Sequence, residues 1–326
     1  MPILGNMTEG LSSNCNVFYN PSVACGDSSL YTREPLVRNL KLPAKSEFNF
    51  QLSTFNFQFS IFNSTLTLEV FTMLFDTHAH MNDEAFDTDR EQMILGLPDK
   101  GIQYVMNVGC SLHSSGDCIA MAEKYPFVYA SVGTHPDAAS EVNEEVINTY
   151  RQMAKHPRVL AIGEIGLDYY WEDNAPREVQ VDWCRKQIEL AQELGLPVIL
   201  HDREAHEDTL NLIREYRPCG VVHCFSGSAE MARQITDLGM YIGLGGATTF
   251  KNARKPVEVA AALPADRLLL ETDAPYMAPV PCRGHRCDSA MIAHTAARIA
   301  EIRGVDADTL LEQTRRNANT LFGLDF

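Results

Sequence analysis

From residue 74 onward the chain alternates short apolar runs with longer amphipathic segments. Runs at 74–77, 102–108, 127–132, 159–162, 197–200, 220–223, 240–244 and 267–271 are each almost continuously hydrophobic or β-branched. That pattern marks strands covered on both faces, as in a parallel sheet. Between them, segments such as 177–194, 208–215 and 229–238 carry helical periodicity, with Gly195, Gly220 and Gly239 at the points where a helix gives way to the next strand. Eight β/α repeats predict an α/β protein, a closed (β/α)8 TIM barrel. An open doubly wound sheet is the weaker alternative, because no G-x-G-x-x-G turn follows the first strand. Segments 289–303 and 306–322 read as two further helices that close the outer ring.

The first 72 residues follow a different pattern. They are rich in Asn, Ser and Phe and lack helical periodicity. An Asn/Gln and Phe alternation over 48–63 could pair as a strand, yet it shows neither partner strands nor turn chemistry of its own. The expectation is two regions: an unstructured or weakly structured extension over 1–72, and a single barrel over 73–326. Met73 stands directly before Leu74-Phe75-Asp76, which suggests translation from a start codon upstream of the true one. Mass spectrometry of the native N-terminus tests this, and a mature chain beginning well before Met73 would refute it.

Composition narrows the class of protein. Hydrophobic residues make up 45% and charged residues 21%, enough for a substantial core. A formal charge of −16 argues against broad, non-specific attachment to nucleic acid, which draws on clustered Lys and Arg. It leaves room for a local site in which metal ions supply the positive charge. Nine scattered cysteines with no C-x-x-C pair suit a reducing cytoplasm. Neither a secretory signal nor a membrane-spanning apolar run is present, and nothing points to an obligate protein partner.

In a barrel, chemistry is carried at the C-terminal ends of the strands. The ends here carry Phe75-Asp76-Thr77-His78-Ala79-His80, Gly133-Thr134-His135-Pro136, Gly163-Glu164-Ile165-Gly166-Leu167-Asp168, His201-Asp202-Arg203, His223-Cys224-Phe225-Ser226-Gly227 and Glu271-Thr272-Asp273-Ala274-Pro275. His78 and His80, two apart on a strand, point to one face and can close on one metal ion. Five of the ten histidines sit at strand ends; His113, His156, His206, His285 and His294 are assigned solvated or capping roles. Four imidazoles and two carboxylates converging on one mouth form a mixed N/O donor set for Zn²⁺, Mn²⁺ or another divalent ion. Six donors exceed what one tetrahedral zinc uses, so two metals are expected.

The ordered motifs F-D-T-H-A-H, G-T-H-P, G-E-I-G-L-D-Y, V-I-L-H-D-R, H-C-F-S-G and E-T-D-A-P-Y resemble those of the TatD family of metal-dependent nucleases, within the amidohydrolase-like barrels. The resemblance covers 73–326 and none of the preceding chain. It implies that His78, His80 and Asp273 hold one metal, that His201 and His223 hold the second, and that Glu164 bridges them. It places His135 beside the metals, facing the substrate phosphate. One departure stands out: many relatives carry a second histidine after G-x-H-P, where this chain has Asp137.

The implied activity is a metal-dependent deoxyribonuclease, an exonuclease on single-stranded DNA ends. Two Mg²⁺, Mn²⁺ or Zn²⁺ ions would activate a water, and Asp273 would be the general base. Arg203, Lys251 and Arg283, with Arg286, are candidate phosphate clamps, and Tyr169, Tyr170 and Trp171 are candidate base-stacking groups. Alternatives on the same scaffold are a D-aminoacyl-tRNA deacylase or a C–N amidohydrolase. A non-catalytic metal-binding protein ranks last, because no ligand is missing.

Overall fold

The computed structural model describes residues 74–324 and, as strands, 48–52, 55–62 and 65–71. The remainder of the expected N-terminal extension, Met73 included, lies outside the described residues. Within it the alternating stretch does find partners: Phe48–Leu52 (β1), Phe55–Phe62 (β2) and Thr65–Phe71 (β3) form an antiparallel three-stranded sheet. The missed partner was Thr-Leu-Thr-Leu-Glu-Val-Phe, which itself alternates with period two.

Eight parallel strands follow: β4 (Leu74–Ala79), β5 (Ile102–Val108), β6 (Val128–Val132), β7 (Val159–Asp168), β8 (Val198–Arg203), β9 (Gly220–Val222), β10 (Tyr241–Leu244) and β11 (Leu268–Leu270). Each pairs with its neighbour in sequence. The ring closes just past β11, where Ala79 bridges Ala274, Asp273 N donates to His78 O (2.9 Å) and His80 N donates to Ala274 O (2.7 Å). Beneath that seam the Asp76 carboxylate accepts from Thr272 N (2.9 Å) and Thr272 Oγ1 (2.6 Å). The expected (β/α)8 architecture is therefore the one adopted.

Side chains alternate across the barrel wall. Met106, Ala161, Ile199, Val221, Tyr241 and Leu269 pack inward with Phe75, while their neighbours Val105, Ile162, Leu200, Val222, Ile242 and Leu270 pack outward against the helices. Those helices are α1 (Arg90–Leu95), α2 (Leu112–Lys124), α3 (Glu144–Met153), α4 (Arg177–Leu194), α5 (His206–Tyr216), α6 (Ala229–Asp237), α7 (Arg254–Ala262) and α8 (Ile292–Arg303). The last helix, α9 (Ala307–Phe322), departs from the expected outer ring. Its Ala318, Leu321 and Phe322 join the inner cluster, with the Phe322 ring 5.7 Å from that of Phe75. It plugs the end where the strands begin and leaves the opposite mouth open to chemistry.

Candidate metal centre

Strand β7 reaches much further than its apolar run suggests, to Asp168, so Glu164 lies within the strand and not at its end. Gly163 and Gly166 resemble strand breakers but serve close packing. A Cβ on Gly163 would stand 2.6 Å from Ile199 Cβ, and one on Gly166, at φ +142°, would stand 2.1 Å from the His201 carbonyl oxygen. Together they let β7 press against β8 and bring Glu164 to His201.

The Glu164 carboxylate, 3% exposed, divides its two oxygens between two groups of imidazoles. Oε2 lies 3.4 Å from His78 Nε2 and 3.6 Å from His80 Nε2. Those two nitrogens are 3.1 Å apart, and Asp273 Oδ1 stands 3.7 and 3.5 Å from them. On the other side Oε1 lies 2.9 Å from His201 Nδ1 and 2.7 Å from His223 Nε2, which are 3.2 Å from each other. All six donors anticipated from the sequence therefore converge. Asp273 reaches its place with φ at +59°, a left-handed backbone held by the seam bond to His78.

Electron-pair donors packed this tightly repel one another unless a cation lies among them. Ligands 2.0–2.1 Å from a tetrahedral centre stand about 3.3 Å apart, close to the spacings on both sides of Glu164. The residues thus fit divalent metal, and His78, His80 and Glu164 on one side and Glu164, His201 and His223 on the other form groups able to hold it. Second ring nitrogens fix the orientation of two of them. His80 Nδ1 is 3.1 Å from the Val108 carbonyl, which can only accept, so Nδ1 carries the proton and Nε2 is left free. His201 Nε2 is held by Asp168 Oδ2 at 3.3 Å.

The imidazoles differ in charge. Burial, with His223 nearby, pushes His78 down to about 4. On the same side burial opposes a charge on His80, yet Cys110 and a hydrogen bond to Asp273 raise it well above its ordinary value. Burial also opposes a charge on His201, but hydrogen bonds to Asp168 and Glu164 lift it to about 9. For Glu164, burial is outweighed by His223, His78 and His135, and the carboxyl sits well below its ordinary range. Asp273 is lowered too, against burial, by His80, His78 and His223.

His135 joins the rim of this cluster, with Nε2 3.8 Å from Glu164 Oε1. Its Nδ1 pairs with Asp137 Oδ1 at 2.9 Å, so the residue that departs from the related motif orients this imidazole. Arg203 leaves β8 with its guanidinium 4.0 Å from the Tyr170 ring centre and 5.3 Å from that of Trp171, both exposed. Tyr169 instead packs against the core and donates to Asp208 (2.8 Å), the packing role among the three aromatics. Arg283 lies over Phe250 at 4.0 Å, and Lys251 lines a shallow groove with Phe250, Arg254 and Arg298. Neither forms a hydrogen bond or ion pair with the donor cluster among the described residues. Arg286 is committed to a two-pronged pair with Asp89 (2.7 Å each) and so is no free clamp.

Several neighbours were not anticipated. Cys110 Sγ lies 3.6 Å from both His80 Nδ1 and Glu164 Oε2, and burial raises its thiol to about 11. Asp168 and Glu271 stood inside the quoted motifs without an assigned role. His206, given a solvated or capping role, begins α5 and pairs with buried Asp202 (2.8 Å).

A parallel eight-stranded barrel with histidines and carboxylates gathered at its C-terminal mouth defines the class of metal-dependent hydrolases. Comparison with known proteins makes the assignment specific. The family model described as TatD related DNase matches residues 75–323, and the chain belongs to that family. It is 40% identical over 256 residues to the uncharacterized metal-dependent hydrolase YabD of Bacillus subtilis, covering 78% of this chain and 100% of that one. It is 34% identical over 260 residues to the 3'-5' ssDNA/RNA exonuclease TatD of Klebsiella pneumoniae, covering 77% and 98%. The crystal structure of YJJV, a TatD homologue from Escherichia coli, superimposes with a TM-score of 0.74 at 32% identity, covering 78% of this chain and all of the other. No helix among the described residues is long and apolar enough to cross a membrane.

Proposed function

We propose that this hydrolase cleaves phosphodiester bonds of DNA, as an exonuclease on single-stranded ends in the cytoplasm, using two divalent ions. The observation that carries the dinuclear reading is the division of the Glu164 oxygens between two sets of imidazoles. In this reading His78, His80 and Asp273 hold one ion, His201 and His223 hold the other, and Glu164 bridges them. Bound Mg²⁺, Mn²⁺ or Zn²⁺ would lower the pKa of a water and neutralise charge developing on a phosphoryl oxygen.

The chain's own groups do the rest. Asp273, ionised at neutral pH and 17% exposed at its side chain, faces the open mouth, where it orients the attacking water and accepts its proton. Glu164 is too enclosed for that exchange and acts as the fixed anion between the two sides. His135, held by Asp137, meets the substrate phosphate from the rim. Arg203 beside Tyr170 and Trp171 offers a charge for the backbone next to exposed ring faces for unpaired bases, which favours single strands over duplex. Lys251 and Arg283 lie further out, where they would contact only a longer strand.

The relatives named as exonucleases support this choice of substrate. The test is cleavage of a 5'-labelled single-stranded oligonucleotide and of D-aminoacyl-tRNA, each with Mg²⁺, Mn²⁺ or Zn²⁺ and with chelator. Metal-dependent shortening of the DNA is expected. Intact DNA with every metal, together with cleavage of the tRNA ester, would overturn the proposal.

A further inference from the structure

Behind the donor cluster lies a carboxylate without a role in the chemistry above. Glu271 is 0% exposed, and no Lys or Arg of the described residues forms an ion pair with it. Burial, with the acidic Asp273, Asp76 and Glu164 around it, holds its carboxyl well above the ordinary range in the metal-free protein. A buried carboxylate in such surroundings is costly unless positive charge reaches it by another route.

The protein nevertheless makes room for it. A Cβ on Gly243 would stand 2.3 Å from Glu271 Oε2, so the glycine leaves the carboxylate the position it holds. Cys224, immediately after His223, adopts φ +42° and donates its backbone N–H to Glu271 Oε1. On the other side Glu271 Oε1 lies 3.9 Å from His223 Nδ1. Three polar atoms here lack partners: His223 Nδ1, His78 Nδ1 and Glu271 Oε2. One ring nitrogen from each of these histidines and one Glu271 oxygen lie within 4.8 Å of one another, and the two rings are stacked at 3.8 Å and 9°.

We propose that Glu271 is a positioning residue: it accepts the Nδ1 proton of His223, which fixes the ring in the tautomer that presents Nε2 to the metal, and it backs the stacked His78 in the same way. The inference rests on the two-metal reading. The present 3.9 Å exceeds a hydrogen bond, so the role requires that the contact would shorten when metal is bound. Imidazole ligands commonly donate their second N–H to a carboxylate, and loss of that partner costs about 10- to 100-fold in metal affinity. The shared carboxylate also gives the two halves of the site a common support.

Glu271→Gln keeps the shape and an acceptor for the Cys224 N–H, but its amide offers His223 a weaker acceptor. Titration calorimetry of chelator-treated full-length protein with Zn²⁺ should show two ions bound by the unsubstituted chain. In the variant at least one binding step should weaken about 10- to 100-fold, with the metal-free melting temperature retained. Both steps unchanged, or a lowered melting temperature with unaltered metal affinity, would overturn the inference. Proton–nitrogen NMR of the unsubstituted Zn²⁺-loaded protein decides the matter even if the variant fails to fold: a His223 Nδ1 proton shifted downfield and slowed in exchange, as a hydrogen bond to a carboxylate requires, is expected, and an Nδ1 proton without that shift refutes it. A chain that binds one ion or none overturns the two-metal reading instead, so the two failures are distinguishable.

Discussion

Replacement of Glu164 by Gln tests the reading at its centre. The substitution preserves size and removes one negative charge from between two groups of imidazoles. The structure sets the scale: Oε1 stands 2.7 and 2.9 Å from one pair of nitrogens, and Oε2 stands 3.4 and 3.6 Å from the other. Among the described residues no other carboxylate lies within 4 Å of imidazole nitrogens from both pairs, so none of them can take over the bridging position. A unit charge about 4 Å from a cation at an effective dielectric of 20 is worth about 4 kcal/mol. Tenfold in affinity is 1.4 kcal/mol, so metal binding should weaken by roughly 10³-fold. Ions bound per chain, by mass spectrometry after gel filtration at micromolar metal, should fall from two to at most one. Turnover of a 5'-labelled single-stranded oligonucleotide should fall at least as far as affinity. Near-ultraviolet circular dichroism should be retained, because the barrel's inner and outer apolar layers lie away from Glu164. Two ions still bound at undiminished affinity, with turnover within about tenfold, would refute the bridging role.

Three further outcomes follow from the geometry. In metal-free protein His201 is raised to about 9, so the stability its proton contributes is complete below the ordinary 6.5 and is lost as pH rises through about 9. Metal must displace that proton, so affinity for Mn²⁺ should improve over the same interval in which the metal-free melting temperature falls; parallel trends in the two measurements would contradict this. Trp171→Ala removes an exposed ring beside Arg203 and should raise KM for single-stranded DNA by roughly 5- to 150-fold with kcat and melting temperature nearly unchanged, an unchanged KM excluding a stacking role. Gly166→Ala forces a methyl to 2.1 Å from the His201 carbonyl and should cost about 1–3 kcal/mol, lowering the melting temperature on the order of 5 °C and weakening the His201 side of the site; thermal stability equal to the parent would count against close packing there.

The strand ends were legible because two rules coincide there. Continuous apolar runs locate the strands of a barrel, and the residues that follow each run must face its mouth. Period-two alternation then placed His78 and His80 on one face, and their Nε2 atoms are 3.1 Å apart. The same rule applied to Glu271 and Asp273 would have flagged Glu271, which was passed over because only the second carboxylate matched a ligand role. Strand β7 was cut short for the opposite reason. Gly163 and Gly166 look like punctuation in a sequence, whereas here they admit the neighbouring strand, a contact invisible without the partner. Cys110 acts through distances to other elements, for which composition carried no signal, whereas Asp137 stood out as a departure from the related motif and pairs with His135 only two residues earlier. Arg286 shows the converse: a cation in the right loop was read as a clamp, but its partner Asp89 lies nearly two hundred residues away in sequence.

The acidity of the chain then becomes intelligible. The mouth gathers Glu164, Asp168, Glu271 and Asp273, all at most intermediate in exposure, around five imidazoles, and no Lys or Arg among the described residues forms an ion pair with these carboxylates. The imidazoles divide in the metal-free protein: burial pushes His78 down to about 4, whereas His80 and His201 are raised against burial by the acceptors beside them. Such a donor set suits divalent charge, and on the two-metal reading a loaded centre would supply local positive charge to a chain of net −16. Attraction of a polyanion would then be concentrated at the mouth. On the proposed exonuclease reading, this would favour engagement of a strand at its end over coating of its length.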